Sequence, residues 1–257
     1  MAPSSSSPRV LAIVVNWNKK AFLERLLEDL RGLERPPDEI VAVDNASEDG
    51  SAEMVRQRFP GVRLLANERN LGGSGGFNAG MRWGLEQGGF QYFWLLDNDV
   101  VVHPGALQAL LDAAEADPRA GLVGSRIAEL HHPERTQEVG ATIHWPTCFL
   151  VKIGAGPAFP PPGQGDRQVF EADYVAACSA LARVEAIEQA GIWDEGYFVF
   201  FDDIDWGVRI RRAGWKVIAA SASLVEHESF IERRLAQGPG ATHLCLRNAI
   251  YFMHRFC

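Results

Sequence analysis

No apolar run in the sequence approaches the length needed to span a bilayer. The polar, Pro/Ser-rich start MAPSSSSPR also lacks the apolar stretch of a secretory signal. These absences point to a cytoplasmic protein, with peripheral contact at the inner face of a membrane left open. Residues 1–8 are expected to form a disordered tail. Cysteine is scarce and unpatterned: Cys148, Cys178, Cys245 and Cys257 form no CxxC pair and no ligand-like spacing. That argues against structural zinc and against a disulfide scaffold, and predicts four reduced thiols. Basic charge is in deficit too, with 25 Lys plus Arg against 33 Asp plus Glu for a net charge of -8. A general binder of the nucleic-acid backbone is not expected from that balance, so an anionic ligand must be held by a local site.

What is present is alternation. RVLAIVVN, residues 9–16, is a continuous β-branched run of the kind buried on both faces of a parallel sheet. In KAFLERLLEDLRGL, the residues Phe22, Leu23, Leu26, Leu27, Leu30 and Leu33 share one helical face. The pattern repeats with EIVAVDNAS as a strand, SAEMVRQRF as a short helix, VRLLAN as a strand, a helix over 77–87, a strand over 92–97, and a helix that Pro104 starts at its first position. This order predicts an α/β fold with a mostly parallel sheet flanked by helices. Beyond about residue 120 the alternation weakens. Strand-like segments near 138–153 and 167–183 flank the Gly/Pro-rich GAGPAFPPPGQGD, and no second core is evident, so residues 9–257 are read as one domain whose second half adds a smaller antiparallel sheet. The chain closes on HLCLRNAIYFMHRFC, read as an amphipathic helix.

Ligands of such sheets gather at the carboxyl ends of the strands. Polar residues cluster there four times: Asn16 with Asn18, Asp44 with Asn45 and Ser47, Asn67 with Asn70, and Asp97 with Asp99. Each cluster alone is ordinary turn chemistry; together they outline one polar crevice suited to a nucleotide. YFWLLDNDVV drives a buried strand onto Asp97 and Asp99, two hard oxygen ligands suited to a divalent cation. NLGGSGGFNAG, with Asn70 and Asn78, lacks the GK[ST] and GxGxxG patterns, and is either a flexible turn or a cradle for a diphosphate or sugar. FDDIDWGVRIRRAGW opens with Asp202 and Asp203. Acids complement the start of a helix by roughly 0.3–1 kcal/mol, yet one would have sufficed, and the adjacent pair leaves one acid free to accept a proton. His227, after the strand KVIAAS, is a candidate third ligand beside the Asp pair. The other six histidines have no comparable setting. Trp193, Trp206 and Tyr197 lie around the acidic pair, where either packing or stacking on an acceptor sugar would use them.

In this order, VVNWN, VDNAS, NLGGSGGFNAG, LLDND, WDEGYFVFFDDIDWGVRIRRAGW and the later His227 resemble a family 2 glycosyltransferase of the GT-A fold, in the branch with bacterial rhamnosyl- and galactofuranosyltransferases. The resemblance runs from about residue 9 to 255. It implies an inverting, single-displacement transfer of a sugar from a nucleotide diphosphate, UDP or dTDP, to a hydroxyl of a glycan or lipid-linked glycan acceptor. It also implies a nucleotide-binding half over about 9–120 and an acceptor half over about 121–257. By the same resemblance Asp44 reads the base with Asn16 beside it, and Asn70, Asn78, Asp97 and Asn98 join the donor contacts. Asp97, Asp99 and His227 would hold Mg2+ or Mn2+. Asp203 corresponds to the general base, with the assignment open between it and Asp202, because Asp202 stands where Glu is commoner. Arg247 and Asn248 match a motif near the family's C-terminal helix. A cation and a single base are enough for this chemistry, since the departing diphosphate needs no protonation. Two rivals remain at this level. A sugar nucleotidyltransferase would carry a glycine-rich loop after the first strand, where this chain has NWNKKAF; a noncatalytic nucleotide-sugar-binding protein of the same fold would bind donor without turnover.

Overall fold

The computed structural model describes residues 7–155, 159, 168–228 and 230–257, with residues 230–239 as backbone only. The expected tail and most of GAGPAFPPPGQGD lie outside the described residues. The first half alternates as the periodicities require: β1 Val10–Asn16, α1 Lys20–Arg31, β2 Glu39–Asp44, α2 Ser51–Arg58, β3 Arg63–Ala66, α3 Gly72–Gln87, β4 Tyr92–Asp97, the short β5 Val101–Val102 and α4 Ala106–Ala116. There follow β6 Ala120–Glu129, β7 His132–Glu138, β8 Gly140–His144, β9 Phe149–Ile153, β10 Val169–Ala172, β11 Ser179–Arg183, α5 Val184–Ala190, a 3-10 turn at Glu195–Tyr197, α6 Asp202–Arg212, β12 Lys216–His227 and α7 Phe230–Phe256.

Ten strands join in one sheet ordered β10-β12-β6-β11-β4-β1-β2-β3, with β5 on β12 and β7 on β6, while β8 and β9 form a separate antiparallel pair. β4, β1, β2 and β3 run parallel, as do β12 and β6. The alternation stops because β11 enters antiparallel between β4 and β6. This is the expected architecture: a mostly parallel sheet flanked by helices, with a smaller antiparallel sheet.

Successive residues of a strand face opposite sides, and the core divides accordingly. Val10, Ala12, Val14, Trp94 and Leu96 pack with Leu23, Leu26, Leu27 and Leu30 of α1 and with Leu107 and Leu110 of α4. Leu11, Ile13, Phe93 and Leu95 pack on the other face with Phe77 and Met81 of α3 and with Trp206 and Ile210 of α6. Each leucine that α1 buries stabilises the fold by about 1.5–3 kcal/mol.

Two departures from the sequence reading matter for function. Helix α3 begins at Gly72, five residues before the expected start, because its glycines do packing work that low helix propensity conceals. A Cβ on Gly76 would meet Val15 at 2.5 Å, on Gly80 Ile13 at 2.3 Å, and on Gly84 Leu11 at 2.6 Å, so this stripe lets α3 lie directly on β1. The second departure concerns cysteine. Instead of four reduced thiols, Cys148 beside β9 and Cys257 after α7 are joined as a disulfide, with Cα atoms 6.6 Å apart and a sequence separation of 109. Spacing rules cannot see a pair that only the packing of α7 on the β8–β9 hairpin brings together. Cys178, which is buried, and Cys245, which is half-buried, take no part in that disulfide.

Candidate active site

β4 ends on Asp97 and the chain turns through Asn98 and Asp99. The next residues form β5, which pairs antiparallel with the end of β12, Val225 with Val102 and Glu226 with Val101. That ladder pins the turn against His227, the last residue of β12. His227 Nε2 lies 3.1 Å from Asp99 Oδ1 and 3.8 Å from Asp97 Oδ2. One ligand atom from each of the three residues falls within 4.8 Å of the others. Two carboxylates and one imidazole at that spacing suit a small divalent cation with borderline or hard ligand preference. Lys19 Nζ sits 2.5 Å from Asp99 Oδ2, a contact that nothing in NWNKKAF advertised. Burial opposes charge on Asp99, but His227 and Lys19 outweigh it and hold the carboxyl well below the usual range.

The neighbouring strand ends are stitched together by amides. Asn16 donates from Nδ2 to Asp44 Oδ1 at 3.2 Å and to Ser47 Oγ at 3.2 Å, and its Oδ1 accepts from Asn98 Nδ2 at 2.6 Å. Asp44 Oδ2 accepts from the Ser47 N–H at 2.9 Å. Asn16, Asp44 and Asn98 thus form one buried network across β1, β2 and the β4 turn. Asn70 closes its own turn by accepting from the Gly72 N–H at 2.8 Å. Asn78 differs from the expectation of a donor contact. It is fully buried; its Nδ2 donates to the Trp193 carbonyl and to Glu195 Oε1, each at 2.9 Å, and its Oδ1 accepts from the Trp193 N–H at 2.9 Å. It clamps the segment leading to the acidic pair.

That segment is strained. Phe198, Phe200 and Phe201 hold φ values of 66°, 67° and 68°, which cost a non-glycine residue about 1–3 kcal/mol each. The strain is held by α7. Asn248, with no solvent exposure, places Nδ2 2.9 Å from the Tyr197 carbonyl, 2.7 Å from that of Val199 and 2.9 Å from that of Phe200. Arg247 adds bonds to the Gly196 and Tyr197 carbonyls. Gly72, at φ +71°, completes the fit, since a Cβ there would collide with the Phe198 carbonyl at 2.2 Å.

Asp202 and Asp203 then occupy the first turn of α6. Asp202 Oδ2 accepts from the Ser74 hydroxyl at 2.7 Å. Asp203 Oδ2 accepts from the Ala177 N–H at 3.4 Å and its Oδ1 from the Ile204 N–H at 2.9 Å. Burial pushes Asp202 up to about 6. Burial first, then the charges of Asp202 and Glu138, push Asp203 well above the usual carboxylate range. The third acid, Asp205, is fully buried and spent on Arg209 and Arg255.

One cavity of about 380 Å³ is lined by Asp97 and His227 on one side and by Asp202 and Asp203 on another. Its remaining wall includes Glu138, Lys152 and Tyr174, none of which carried a sequence signal. Lys152 Nζ lies 2.9 Å from Glu138 Oε2, and the Tyr174 hydroxyl donates to Glu138 Oε1 at 3.2 Å. Of the three aromatics near the acidic pair only Trp193 lines this cavity; Trp206 and Tyr197 are packed in the core.

Comparison with known proteins agrees with this geometry. Residues 11–189 match the family described as Glycosyl transferase family 2. The N-acetylglucosaminyl-diphospho-decaprenol L-rhamnosyltransferase of Mycobacterium tuberculosis is 31% identical over 84% of this chain and 75% of its own length. The galactofuranosyltransferase GlfT1 of Mycolicibacterium smegmatis is 32% identical over 80% of this chain and 66% of its own. A crystal structure of GalNAc-T7 with UDP, GalNAc and Mn2+ superposes with a TM-score of 0.68 at 16% identity, over 88% of this chain and 44% of that one, and shares the GT-A fold. With the strand-end acids, the acidic pair and the sheet order in place, the chain belongs to glycosyl transferase family 2.

Proposed function

We propose that the protein is an inverting glycosyltransferase that moves a sugar from a nucleoside diphosphate, UDP or dTDP, to a hydroxyl of a glycan or lipid-linked glycan. The observation that carries this reading is the single cavity shared by the Asp97–Asp99–His227 corner and the Asp202–Asp203 pair. Residues 9–257 act as one domain, with the donor on the strand-end side and the acceptor on the side of β7 to β11. Asp44 reads the base and Asn98 joins the donor contacts, with Asn16 bracing both through its amide, and Asn70 shapes the turn beside the diphosphate. Asp97, Asp99 and His227 would hold Mg2+ or Mn2+, which supplies positive charge against the leaving diphosphate. Lys19, already on Asp99, is placed to turn toward that same diphosphate when the acids are otherwise engaged.

Asp203 removes the proton from the acceptor hydroxyl as its oxygen bonds to the anomeric carbon. The bond from that carbon to the diphosphate oxygen breaks with its electron pair leaving on the diphosphate, so the configuration inverts. Burial makes Asp203 a stronger base than an exposed aspartate. Asp202, held by Ser74, keeps Asp203 oriented and shares its charge.

Isothermal titration of UDP and dTDP with and without Mn2+ tests the donor side. Parent protein should bind one of them in a Mn2+-dependent manner, and Asp99→Ala should lose most of that dependence; unchanged binding would remove the metal assignment.

A further inference from the structure

Four carboxylates line the cavity, those of Asp97, Glu138, Asp202 and Asp203. Among the described residues the one Lys or Arg side chain on its wall is Lys152 of β9. Asp97 and the imidazole of His227 belong to the candidate metal corner, and the remaining ionisable groups on the wall are the Tyr174 phenol and the thiols of Cys178 and Cys245. Glu138, the last residue of β7, is the carboxylate that the proposed transfer does not use. The fold nevertheless ties it to Asp203. The Tyr174 hydroxyl donates to Glu138 Oε1 at 3.2 Å, and three residues later the Ala177 N–H donates to Asp203 Oδ2 at 3.4 Å, so a single stretch of backbone holds both acids. Tyr174 also shares a core with Ile204, the residue after Asp203.

Glu138 and Lys152 are unequal partners. Lys152 Nζ lies 2.9 Å from Glu138 Oε2, yet the side chain of Glu138 is 10% exposed and that of Lys152 46%. Water screens the ammonium more than the carboxylate, so the two charges do not cancel inside the cavity and a net negative field remains there. A like charge opposes the ionisation of Asp203, and the ammonium favours it. The direction found for Asp203 agrees, since burial and then the charges of Asp202 and Glu138 push it well above the usual carboxylate range. Both influences serve a base. With too little negative charge beside it a carboxylate accepts a proton weakly; with too much it is already protonated and accepts none.

We infer, on the reading of Asp203 as the proton acceptor, that Glu138 and Lys152 are positioning residues that act through it with opposed charges: Glu138 strengthens Asp203 as a base, and Lys152 keeps it ionised. Tyr174 and Asp202 fix the geometry in which the two charges work, the first by holding Glu138 and the second as the neighbour of Asp203 on Ser74.

Carbon-13 NMR of the aspartate carboxyl groups in the labelled full chain, titrated without added metal, tests this. The Asp203 signal is the one lost in Asp203→Asn, and because adjacent acids share their protons the apparent midpoints of that signal are compared. Glu138→Gln, which keeps the shape and an acceptor for Tyr174, should lower the midpoint by about half a pH unit or more, and Lys152→Met should raise it by a similar amount. Opposite shifts identify charge, since a packing defect has no reason to change sign with the residue replaced. A midpoint that stays in place in both variants, or moves the same way in both, overturns the inference. Should Glu138→Gln fail to fold, the half-exposed Lys152→Met decides alone: an upward shift supports the inference and its absence overturns it. The acid limb of the pH profile for nucleoside diphosphate released from UDP- and dTDP-sugars should follow the carboxyl midpoints. Midpoints that shift while this limb stays in place would leave the charge couple standing and remove Asp203 as the base, so the two readings fail separately.

Discussion

The two walls of the cavity present their acids by opposite means. On the proposed donor side regular strands end at the candidate metal ligands: β4 delivers Asp97, and β12 delivers His227 beside it. On the proposed acceptor side Asp202 and Asp203 follow three residues of positive φ and depend on Asn248 and Arg247, from a helix more than forty positions later, to keep that backbone in place. A strand end needs only its sheet. A strained loop needs partners that satisfy its carbonyls, and its geometry is no stronger than they are.

The comparison predicts unequal responses to substitution. The largest should come from Asp203→Asn, which preserves shape and removes the proposed base. Turnover should fall by about 10²–10⁴ while calorimetry shows donor affinity unchanged; retained turnover would transfer the role to Asp202. The same pair sets a pH dependence. A folded-state pKa near 6 for Asp202, above its ordinary 3.8, contributes stability that is complete below 3.8 and is lost as pH rises through about 6. Asp203 acts in the same direction. Thermal midpoints of Asp202→Asn minus those of the parent should therefore grow more positive across that interval. A flat difference would mean the carboxyls are not buried as described.

Asn248→Ala leaves buried carbonyls of the strained loop short of a donor and should cost at least about 2 kcal/mol in denaturant unfolding. Its turnover should drop further than its donor binding if the loop positions the proposed base and not the nucleotide. Equal losses in both would deny that the two walls are held independently. On the donor side Gly80→Ala probes the close approach of α3 to β1. The gain in helix propensity, about 1 kcal/mol, is outweighed by overpacking against Ile13, and a net loss of about 1 kcal/mol is expected by the same unfolding measurement. The smallest effect should be that of Lys19→Ala: Mn2+ alone binds somewhat more tightly, as one competing cation has gone, while nucleoside diphosphate binds somewhat more weakly. If both affinities moved in the same direction, Lys19 would not be exchanging between Asp99 and the diphosphate.

Legibility followed the same division. The parallel half could be read because β1, β2 and β4 carry unbroken apolar runs and α1 an amphipathic repeat, patterns that depend on neighbours within a few positions. The start of α3 was hidden because glycine reads as a turn, and only the approach of Ile13 and Val15 reveals why a helix would use it. Asn78 looked like a ligand residue by its place in a glycine-rich stretch; the fold spends its amide on Trp193 and Glu195. Glu138 and Tyr174 gave no signal because nothing local marks a residue that meets a cavity from a separate strand. Lys19 was similarly anonymous until β4 brought Asp99 to it.

By itself the sequence determined where the strands end and which of those ends carry carboxylates, because burial on a pleated sheet imposes a local, short-period pattern on the chain. Tertiary structure set the geometry by which His227, already a candidate ligand in the sequence, meets Asp99 across 128 positions, and it alone decided that Lys19 would reach Asp99, that Asn248 would hold the loop before Asp202, and that the β8–β9 hairpin and α7 would share a core. Those outcomes depend on contacts between remote segments, which leave no periodic trace in the order of residues.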